Sequence, residues 1–324
     1  MRKAYSLLFL LMVTLSTACT PMVQRTGPEN RSPIFTKTAY VTADGKNLPL
    51  KIWRSEEEPK AIIIAVHGFN DYRNGFAFPA SWWMQKGVTT YAYDQRGFGE
   101  TEQRGIWAGN ALMIRDLAAV TRLVREENPG KPVYLLGESM GGAVVMTSVT
   151  SSNFPSVDGV ILSAPAVWGW QSLNPLYRAV LWSSAHMFPG MTATGSGLGI
   201  QASDNIPMLR NLGRDPYFIK ETRIDAVYGL VGLMDDASDS AVKLSLPTLI
   251  LYGAKDELIP KDPVESVVAR VPGSADIVLY ENGWHLLMRD LQAPVVWNDI
   301  LSWIEKRQIP SGNQINKLPL FATR

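Results

Sequence analysis

One serine stands in a sequence context that favours nucleophilic chemistry. Residues 137–141 are Gly-Glu-Ser-Met-Gly, so Ser139 occupies the centre of a G-x-S-x-G pattern. An apolar, strand-like run at residues 133–136 precedes it, and a segment of helical period follows. A tight strand–turn–helix exposes such a serine and leaves no room for side chains at the flanking glycines. The helix N-terminus also favours developing negative charge. We therefore predict Ser139 to be a nucleophile.

A serine nucleophile needs a base, and the chain has three histidines. His67 follows a strand-like run at a position suited to shaping a turn, and His186 lies on an apolar, helix-like stretch. His285 lies in a loop just after the last strand-like run. Sites in parallel sheets gather at the carboxyl ends of strands. We therefore predict His285 to be the general base.

The base in turn needs a carboxylate that fixes its tautomer and stabilises its charged form. Asp256 follows a strand-like run directly and lies between the serine and the histidine in sequence. We predict Asp256 in this role. Its nearest rival is Glu257, and more distant rivals are Asp235, Asp236 and Asp239.

Two backbone N–H groups are placed to stabilise an oxyanion. Met140 follows the predicted nucleophile directly, and Phe69 follows His67-Gly68 at the end of another strand-like run. Both are main-chain donors, so the turns that aim them matter more than their side chains. We predict Phe69 and Met140 as the oxyanion donors.

The elements that must position these groups alternate in type along the chain. Continuous apolar runs are typical of strands buried on both faces of a parallel sheet. They lie at residues 61–66, 89–93, 133–136, 160–162, 248–252 and 277–280, between helix-period segments at 76–86, 111–127, 141–149, 263–271 and 295–306. A predicted hairpin at 37–54 precedes them. The pattern indicates an α/β fold with a doubly wound parallel sheet.

Residues 166–240 interrupt this alternation. The segment has no strand-like run, and about seventy residues is too long for a plain loop in a compact domain. We predict a helical insertion, which we call the lid. The expected layout is a core at residues 36–165 and 241–308, the lid at 166–240 and a C-terminal tail at 309–324.

Composition narrows the function. The 324 residues are 46% hydrophobic and 19% charged, as in ordinary globular proteins. The net charge of +1, without a long basic run, gives no electrostatic case for nucleic acid. One cysteine, three histidines and no CxxC or HExxH pattern give no case for a metal site. We expect no cofactor, no metal and no nucleic-acid partner.

The N-terminal residues differ in kind from the rest. Arg2 and Lys3 precede an apolar run at residues 7–15, which is shorter than the roughly 20 residues that span a bilayer. Small residues then precede Cys19, the only cysteine. Residues 1–19 are similar to a bacterial lipoprotein signal, in which the cysteine becomes the lipidated N-terminus; an ordinary signal peptide is the alternative. We expect a flexible tether at residues 20–35 and an exported, membrane-anchored protein of the bacterial cell envelope.

Seven motifs in order resemble the monoacylglycerol lipase and lysophospholipase branch of the α/β-hydrolases, which is of serine aminopeptidase S33 type. They are VHGF (66–69), YDQRGFG (93–99), GESMGG (137–142), LSAP (162–165), RDP (214–216), GAKD (253–256) and GWH (283–285). The resemblance implies a mostly parallel, eight-stranded sheet with helices on both faces and a lid after strand six. It also implies the triad Ser139, Asp256 and His285, whose chain order is that of the α/β-hydrolases.

The resulting hypothesis is hydrolysis of carboxylic esters through an acyl-enzyme. An apolar lid suits lipid-like small molecules such as monoacylglycerols or lysophospholipids. Candidate acyl-binding residues, which on a second interpretation only pack the lid, are Trp168, Trp170, Met187, Phe188 and Met191.

The sequence is also compatible with two other functions. One is peptide or amide cleavage of the proline-iminopeptidase type, in which Asp235, Asp236 and Asp239 would hold the substrate amine. The other is a surface binding module without catalysis, against which the complete predicted triad speaks.

Overall fold

The computed structural model describes residues 20–195, 197, 199–273 and 275–315. The predicted signal with Cys19, and the part of the predicted 309–324 tail that follows residue 315, lie outside the described residues. Among the described helices, each is too short or too polar to cross a lipid bilayer.

A ten-stranded sheet forms the centre of the described chain. The described residues contain twelve strands, of which ten form this sheet: β1 (Ile34–Phe35), β2 (Ala39–Val41), β3 (Asn47–Trp53), β4 (Ala61–Val66), β5 (Val88–Tyr93), β6 (Val133–Glu138), β7 (Gly159–Ser163), β8 (Thr192–Ala193), β9 (Thr222–Arg223), β10 (Thr248–Gly253), β11 (Asp276–Tyr280) and β12 (Gln314–Ile315). Their spatial order is β1-β2-β3-β5-β4-β6-β7-β10-β11-β12, and β8 and β9 pair separately. The strands from β5 to β11 in this order pair in parallel, whereas β1, β2, β3 and β12 pair antiparallel at the edges. The predicted α/β fold and hairpin are confirmed.

The sheet has two strands more than the expected eight. The additional strands, β1 and β12, contain two residues each and pair at opposite edges of the sheet. Two residues are too few to produce a period of alternating side chains, so the sequence pattern contains no sign of them.

Eight α-helices are present in the described residues. They are α1 (Ala77–Met84), α2 (Asn110–Glu127), α3 (Met140–Val149), α4 (Pro175–Met187), α5 (Ile206–Arg214), α6 (Ile224–Ser240), α7 (Lys261–Val268) and α8 (Ala293–Lys306). Short 3₁₀ turns lie at Arg73–Phe76 and Ala241–Lys243.

The central strands bury both faces. In β4, Ile62, Ile64 and Val66 join the core beneath α2, α3 and α7, while Ile63 and Ala65 join the core beneath α1 and α8. Side chains of a strand alternate between faces, so a run without polar residues is explained by cover on both sides. The central strands therefore form a buried support for the loops at the carboxyl edge of the sheet.

Three helices, α4 to α6, and the β8–β9 pair lie between β7 and β10, where the sequence predicts the lid. Helix α6 packs on the core through Leu230, Leu233 and Ala237. Helix α4 buries only Ala185, and α5 buries none of its residues. Packing thus weakens from α6 outward, and the β8–β9 pair is an element that the sequence pattern does not predict.

The segment expected to be a flexible tether is hydrogen-bonded to the domain. The N–H of Gln24 donates to the carbonyl of Trp107 (2.8 Å), and its side-chain amide donates to the carbonyl of Ile106 (2.9 Å). Further along, Glu29 pairs with Arg115. Main-chain hydrogen bonds and a single ion pair do not require an apolar sequence pattern. The Pro- and Thr-rich composition of this segment therefore predicted a flexible tether, although the segment is bonded to the domain.

Candidate active site

Ser139 occupies a sharp turn between β6 and α3. Its φ of 53° and ψ of −118° place a residue with a Cβ in a region that L-residues rarely adopt. A Cβ at Gly141 would lie 1.9 Å from the carbonyl oxygen of Val66, and one at Gly137 would lie 2.4 Å from that of Gly141. Close packing of backbone on backbone therefore requires both glycines of the G-x-S-x-G pattern.

His285 and Asp256 lie together in a buried pair. Nδ1 of His285 is 2.8 Å from Oδ2 of Asp256, and both side chains are almost completely buried. The other carboxylate oxygen, Oδ1, accepts from the N–H groups of Leu258 (2.8 Å) and Ile259 (3.0 Å). These three contacts hold the carboxylate in place and aim Oδ2 at the imidazole.

The pKa of His285 is raised above its ordinary value. Burial lowers the pKa, but the negative charge of Asp256 and the hydrogen bond to it raise the pKa by more, with a further contribution from Glu138. A base with a raised pKa accepts a proton from serine more readily.

The other two histidines have structural surroundings. His67 is buried, accepts the N–H of Gln95 at Nε2 (2.9 Å) and places Nδ1 2.8 Å from the carbonyl of Gly68. Burial lowers its pKa. His186 stacks on Trp182 in α4, with ring centroids 4.3 Å apart. Of the three, His285 is the one that lines a cavity with Ser139.

The rival carboxylates also have other partners. Glu257 accepts the N–H of Gln201 (2.7 Å). On α6, Asp235 accepts the N–H of Gln171 (3.2 Å), Asp236 accepts from the Asn110 amide (2.6 Å), and Asp239 is 3.4 Å from the side-chain amide of Gln171. None of these four lines the cavity that Ser139 and His285 share.

The predicted oxyanion donors flank the nucleophile. Gly68 packs so closely that a Cβ there would lie 3.3 Å from Cβ of Ser139, and Phe69 follows it. Met140 is the first residue of α3. Among the described residues, neither the N–H of Phe69 nor that of Met140 meets a protein acceptor. Free donors beside the serine are what an oxyanion requires.

A cavity of about 490 Å³ opens over Ser139 and His285. The core contributes Phe69, Leu258 and Ile259, and lid residues supply most of the remaining lining. Helix α6 provides Val227, Leu230, Val231 and Met234, a spacing of three, four and seven that marks one face of a helix. The described residues contain no group of three or more His, Cys, Asp or Glu side chains arranged to hold a metal ion.

Only one of the five lid candidates, Trp168, lines this cavity. Trp170 packs edge-to-face on Tyr228, with centroids 5.1 Å apart, and Met187, Phe188 and Met191 are each more than half exposed. The apolar composition predicts that a lid is present, but it does not show which of the lid side chains face the cavity. The α6 face is the signal that sequence reasoning could have used, because its period is visible in the sequence.

A buried charge cluster beneath the site was not predicted. Nη2 of Arg289 lies 2.6 Å from Oδ2 of Asp71 and 2.8 Å from Oε2 of Glu138, and all three residues are buried. Burial raises the pKa of Glu138, although the Arg289 charge lowers it. Asp71 follows the Phe69 loop, Glu138 precedes Ser139, and Arg289 follows His285. The cluster therefore ties together the three loops that carry the site.

The fold and this site define a serine hydrolase of the α/β-hydrolase class. Residues 57–292 match the family described as "Serine aminopeptidase, S33", and the chain belongs to that family. It is 24% identical to a monoacylglycerol lipase of Mycolicibacterium smegmatis over 82% of this chain and 95% of that protein. It is 26% identical to the monoglyceride lipase of Rattus norvegicus over 84% of this chain and 91% of that protein.

The solved structures give the same fold. A soluble variant of monoglyceride lipase from Saccharomyces cerevisiae, in complex with a substrate analogue, superposes with a TM-score of 0.71. The sequence identity is 18%, and the match covers 88% of this chain and 97% of the yeast chain. At this identity the likeness concerns the architecture.

Proposed function

We propose that this protein hydrolyses carboxylic esters of lipids, with monoacylglycerols as the leading substrate class, through an acyl-enzyme on Ser139. The observation that carries the proposal is the opening of an apolar cavity directly onto Ser139 and the His285–Asp256 pair. The names of the relatives, which are lipases of monoacylglycerol, agree with that cavity.

In the proposed mechanism Oγ of Ser139 attacks the acyl carbon while Nε2 of His285 takes its proton. The N–H groups of Phe69 and Met140 stabilise the oxyanion, and Asp256 stabilises the imidazolium. His285 then protonates the leaving alcohol. Water attacks the acyl-enzyme with His285 again as the base, which releases the carboxylic acid and restores the serine.

The peptidase alternative is not favoured. It needs carboxylates that face the substrate amine, and Asp235, Asp236 and Asp239 lie outside the cavity lining. Asp71 and Glu138 do line the cavity, but Arg289 pairs with both. A positively charged amine would therefore have to compete with Arg289 for these two carboxylates.

A hydrolysis panel tests the function. It contains p-nitrophenyl esters of rising chain length, monoacylglycerols, lysophospholipids and proline p-nitroanilide, with Ser139→Ala as the control. We expect hydrolysis of medium or long acyl esters and of monoacylglycerol. Hydrolysis of the anilide alone would instead assign a peptidase. Failure of a fluorophosphonate probe to label the native protein would indicate a binding module.

We also propose that Cys19 is acylated and anchors the protein in a membrane of the bacterial cell envelope. The support is the charged, apolar and small-residue order of residues 1–18 before the chain's only cysteine. Acylation adds membrane affinity for each buried methylene, so Cys19→Ser should move the protein from the membrane to the soluble fraction. Unchanged fractionation would contradict the anchor.

A further inference from the structure

Asp290 is a buried carboxylate that belongs neither to the triad nor to the Arg289 cluster. It is 3% exposed, and two hydrogen bonds satisfy its oxygens. Oδ1 accepts the hydroxyl of Ser203, a buried lid residue, at 2.6 Å, and Oδ2 accepts the N–H of Trp284 at 2.8 Å. A buried carboxylate is costly unless its oxygens are bonded, so these two partners fix where the side chain lies.

The main chain on both sides of His285 is held by this arrangement. Trp284, which donates to Asp290, directly precedes His285. Leu286 directly follows it, and its N–H donates to the carbonyl of Ala202 at 3.0 Å. Ala202 is adjacent to the lid residue that bonds Asp290. The backbone at the predicted base is therefore fixed at two points, and neighbouring lid residues contribute to both.

The same part of the lid also contacts the loop of the predicted acid. The N–H of Gln201 donates to Oε2 of Glu257 at 2.7 Å, and Glu257 follows the triad aspartate directly. The N–H of Lys255, on the other side of that aspartate, donates to the carbonyl of Gly283 at 2.9 Å. The acid loop and the base loop are thus bonded to each other and to lid residues 201–203, which we call the bracing segment.

From these contacts we propose that Asp290 is a positioning residue for the general base, and that the bracing segment of the lid supports it. The inference rests on the proposed role of His285. Proton transfer requires the imidazole within hydrogen-bond reach of the serine hydroxyl, and a small displacement of a catalytic group lowers the rate strongly. Asp290 does not line the cavity, so it acts through the main chain of Trp284. The lid then holds the base as well as covering the cavity.

An amide at position 290 can replace the carboxylate without loss of either hydrogen bond. Oδ1 of an asparagine accepts the N–H of Trp284, and its Nδ2 donates to the hydroxyl of Ser203, which is both a donor and an acceptor. Burial raises the pKa of Asp290 to about 6, although the hydrogen bonds from Ser203 and Trp284 lower it. A neutral side chain avoids this cost of burying a charge. Asp290→Asn should therefore keep the loop in place, whereas Asp290→Ala should not.

Steady-state hydrolysis of a short p-nitrophenyl ester tests this difference. Asp290→Ala loses both bonds, and we expect kcat to fall by about 100-fold with KM changed by less than about twofold. Ser203→Ala loses one bond, and we expect a fall of about tenfold. Asp290→Asn should stay within about threefold of the native protein. Equal losses in Asp290→Asn and Asp290→Ala, or full activity in Ser203→Ala, would overturn the proposal.

A control variant separates positioning from general weakening of the region. Asp276, at the opposite end of β11, accepts the indole N–H of Trp303 (2.7 Å) and the side-chain amide of Gln314 (2.8 Å). Asp276→Ala also loses two hydrogen bonds, and we expect a lower melting temperature with kcat retained. All variants are assayed at a temperature at which thermal denaturation shows them folded. A loss of kcat in Asp276→Ala as large as that in Asp290→Ala would overturn the positioning role.

NMR signals of the imidazole nitrogens give a readout that needs no substrate. Nitrogen-labelled histidine reports three rings, and His285→Gln identifies the signals of the predicted base. In the native protein the bond to Asp256 should hold the ring in one tautomer. We expect the two nitrogen signals to move toward each other in Asp290→Ala, as the ring loses that bond, and to stay apart in Asp290→Asn.

The two levels of the proposal fail in different ways. If the native protein hydrolyses no ester, the proposed function is wrong, but the imidazole signals still show whether Asp290 fixes the ring. Unchanged signals of His285 in Asp290→Ala would overturn the positioning role whatever the activity. If Asp290→Ala does not fold, the imidazole signals of Ser203→Ala decide in the same way.

Discussion

The sheet and the lid bury their apolar residues to different extents. All six residues of β4 are buried, whereas the thirteen residues of α4 bury one. Ser139 and Asp256 follow β6 and β10, in which every residue is buried, and His285 follows β11, which is partly buried. The lid covers them with α6, which packs on the core, and with α4 and α5, which bury few residues. The proposed chemistry thus lies on the more closely packed region, and most of the apolar cavity lining comes from the lid, whose outer helices are less closely packed. Substitutions in the two regions should differ in kind.

The largest effect should come from the proposed nucleophile, Ser139. Ser139→Ala removes the attacking oxygen, and we expect turnover to fall by about 10⁶-fold with folding intact. Ser148→Ala is the matched control, because this buried hydroxyl of α3 has no partner among the described residues. Steady-state hydrolysis of a short ester measures both. Residual activity of the Ser139 variant near that of the control would place the nucleophile elsewhere.

The next effect concerns the pH profile. In the proposed mechanism activity needs neutral His285, so we expect activity to fall as the pH drops through the pKa of that residue. Because Asp256 raises this pKa, the acid limb should lie above the ordinary histidine value of about 6.5. Asp256→Asn removes the charge, which should move the limb to lower pH and reduce turnover by about 10⁴-fold. An unmoved limb would show that another group controls it.

A third test measures how much the buried charge cluster around Arg289 contributes to the free energy of unfolding. Arg289→Met leaves Asp71 and Glu138 buried without their cation, and we expect a loss of about 3–5 kcal/mol in the free energy of unfolding. Denaturant titration measures the loss. Adding Glu138→Gln should recover part of it, because one of the two unpaired charges is then absent. An unaltered unfolding midpoint in Arg289→Met would contradict the structural role of the cluster.

The smallest effect should come from the lid and should depend on the substrate. Leu181 lines the cavity, whereas the side chain of the adjacent Val180 is exposed to solvent. Leu181→Trp fills acyl space, so hydrolysis of long-chain esters should fall by about tenfold while that of an acetate ester is retained. Val180→Trp is the control and should leave this soluble-substrate ratio unchanged. Equal losses for both chain lengths would argue against an acyl site.

The sequence predicts the sheet and its turns in more detail than it predicts the lid, and the reasons are physical. The buried strands and the turn at Ser139 have local sequence patterns. Unbroken apolar runs mark the strands, and the two glycines that backbone contact requires mark the turn. The Arg289–Glu138 pair joins residues 151 apart and leaves no local pattern. In the lid, apolar composition alone does not separate the residues that face the cavity from those that are exposed to solvent. Which side of a lid helix is buried depends on the element that packs against it, and the sequence of the helix alone does not identify that element.

The turn at Ser139 also has a consequence for the tolerance of the protein to heat. A non-glycine residue at φ 53° and ψ −118° stores about 1–3 kcal/mol of conformational energy. Glycine would relieve that energy, so a Ser139→Gly protein should melt at a higher temperature than the active one. On the proposed mechanism the active protein is slightly less stable than its inactive glycine variant, and selection for thermal stability alone would remove the proposed nucleophile.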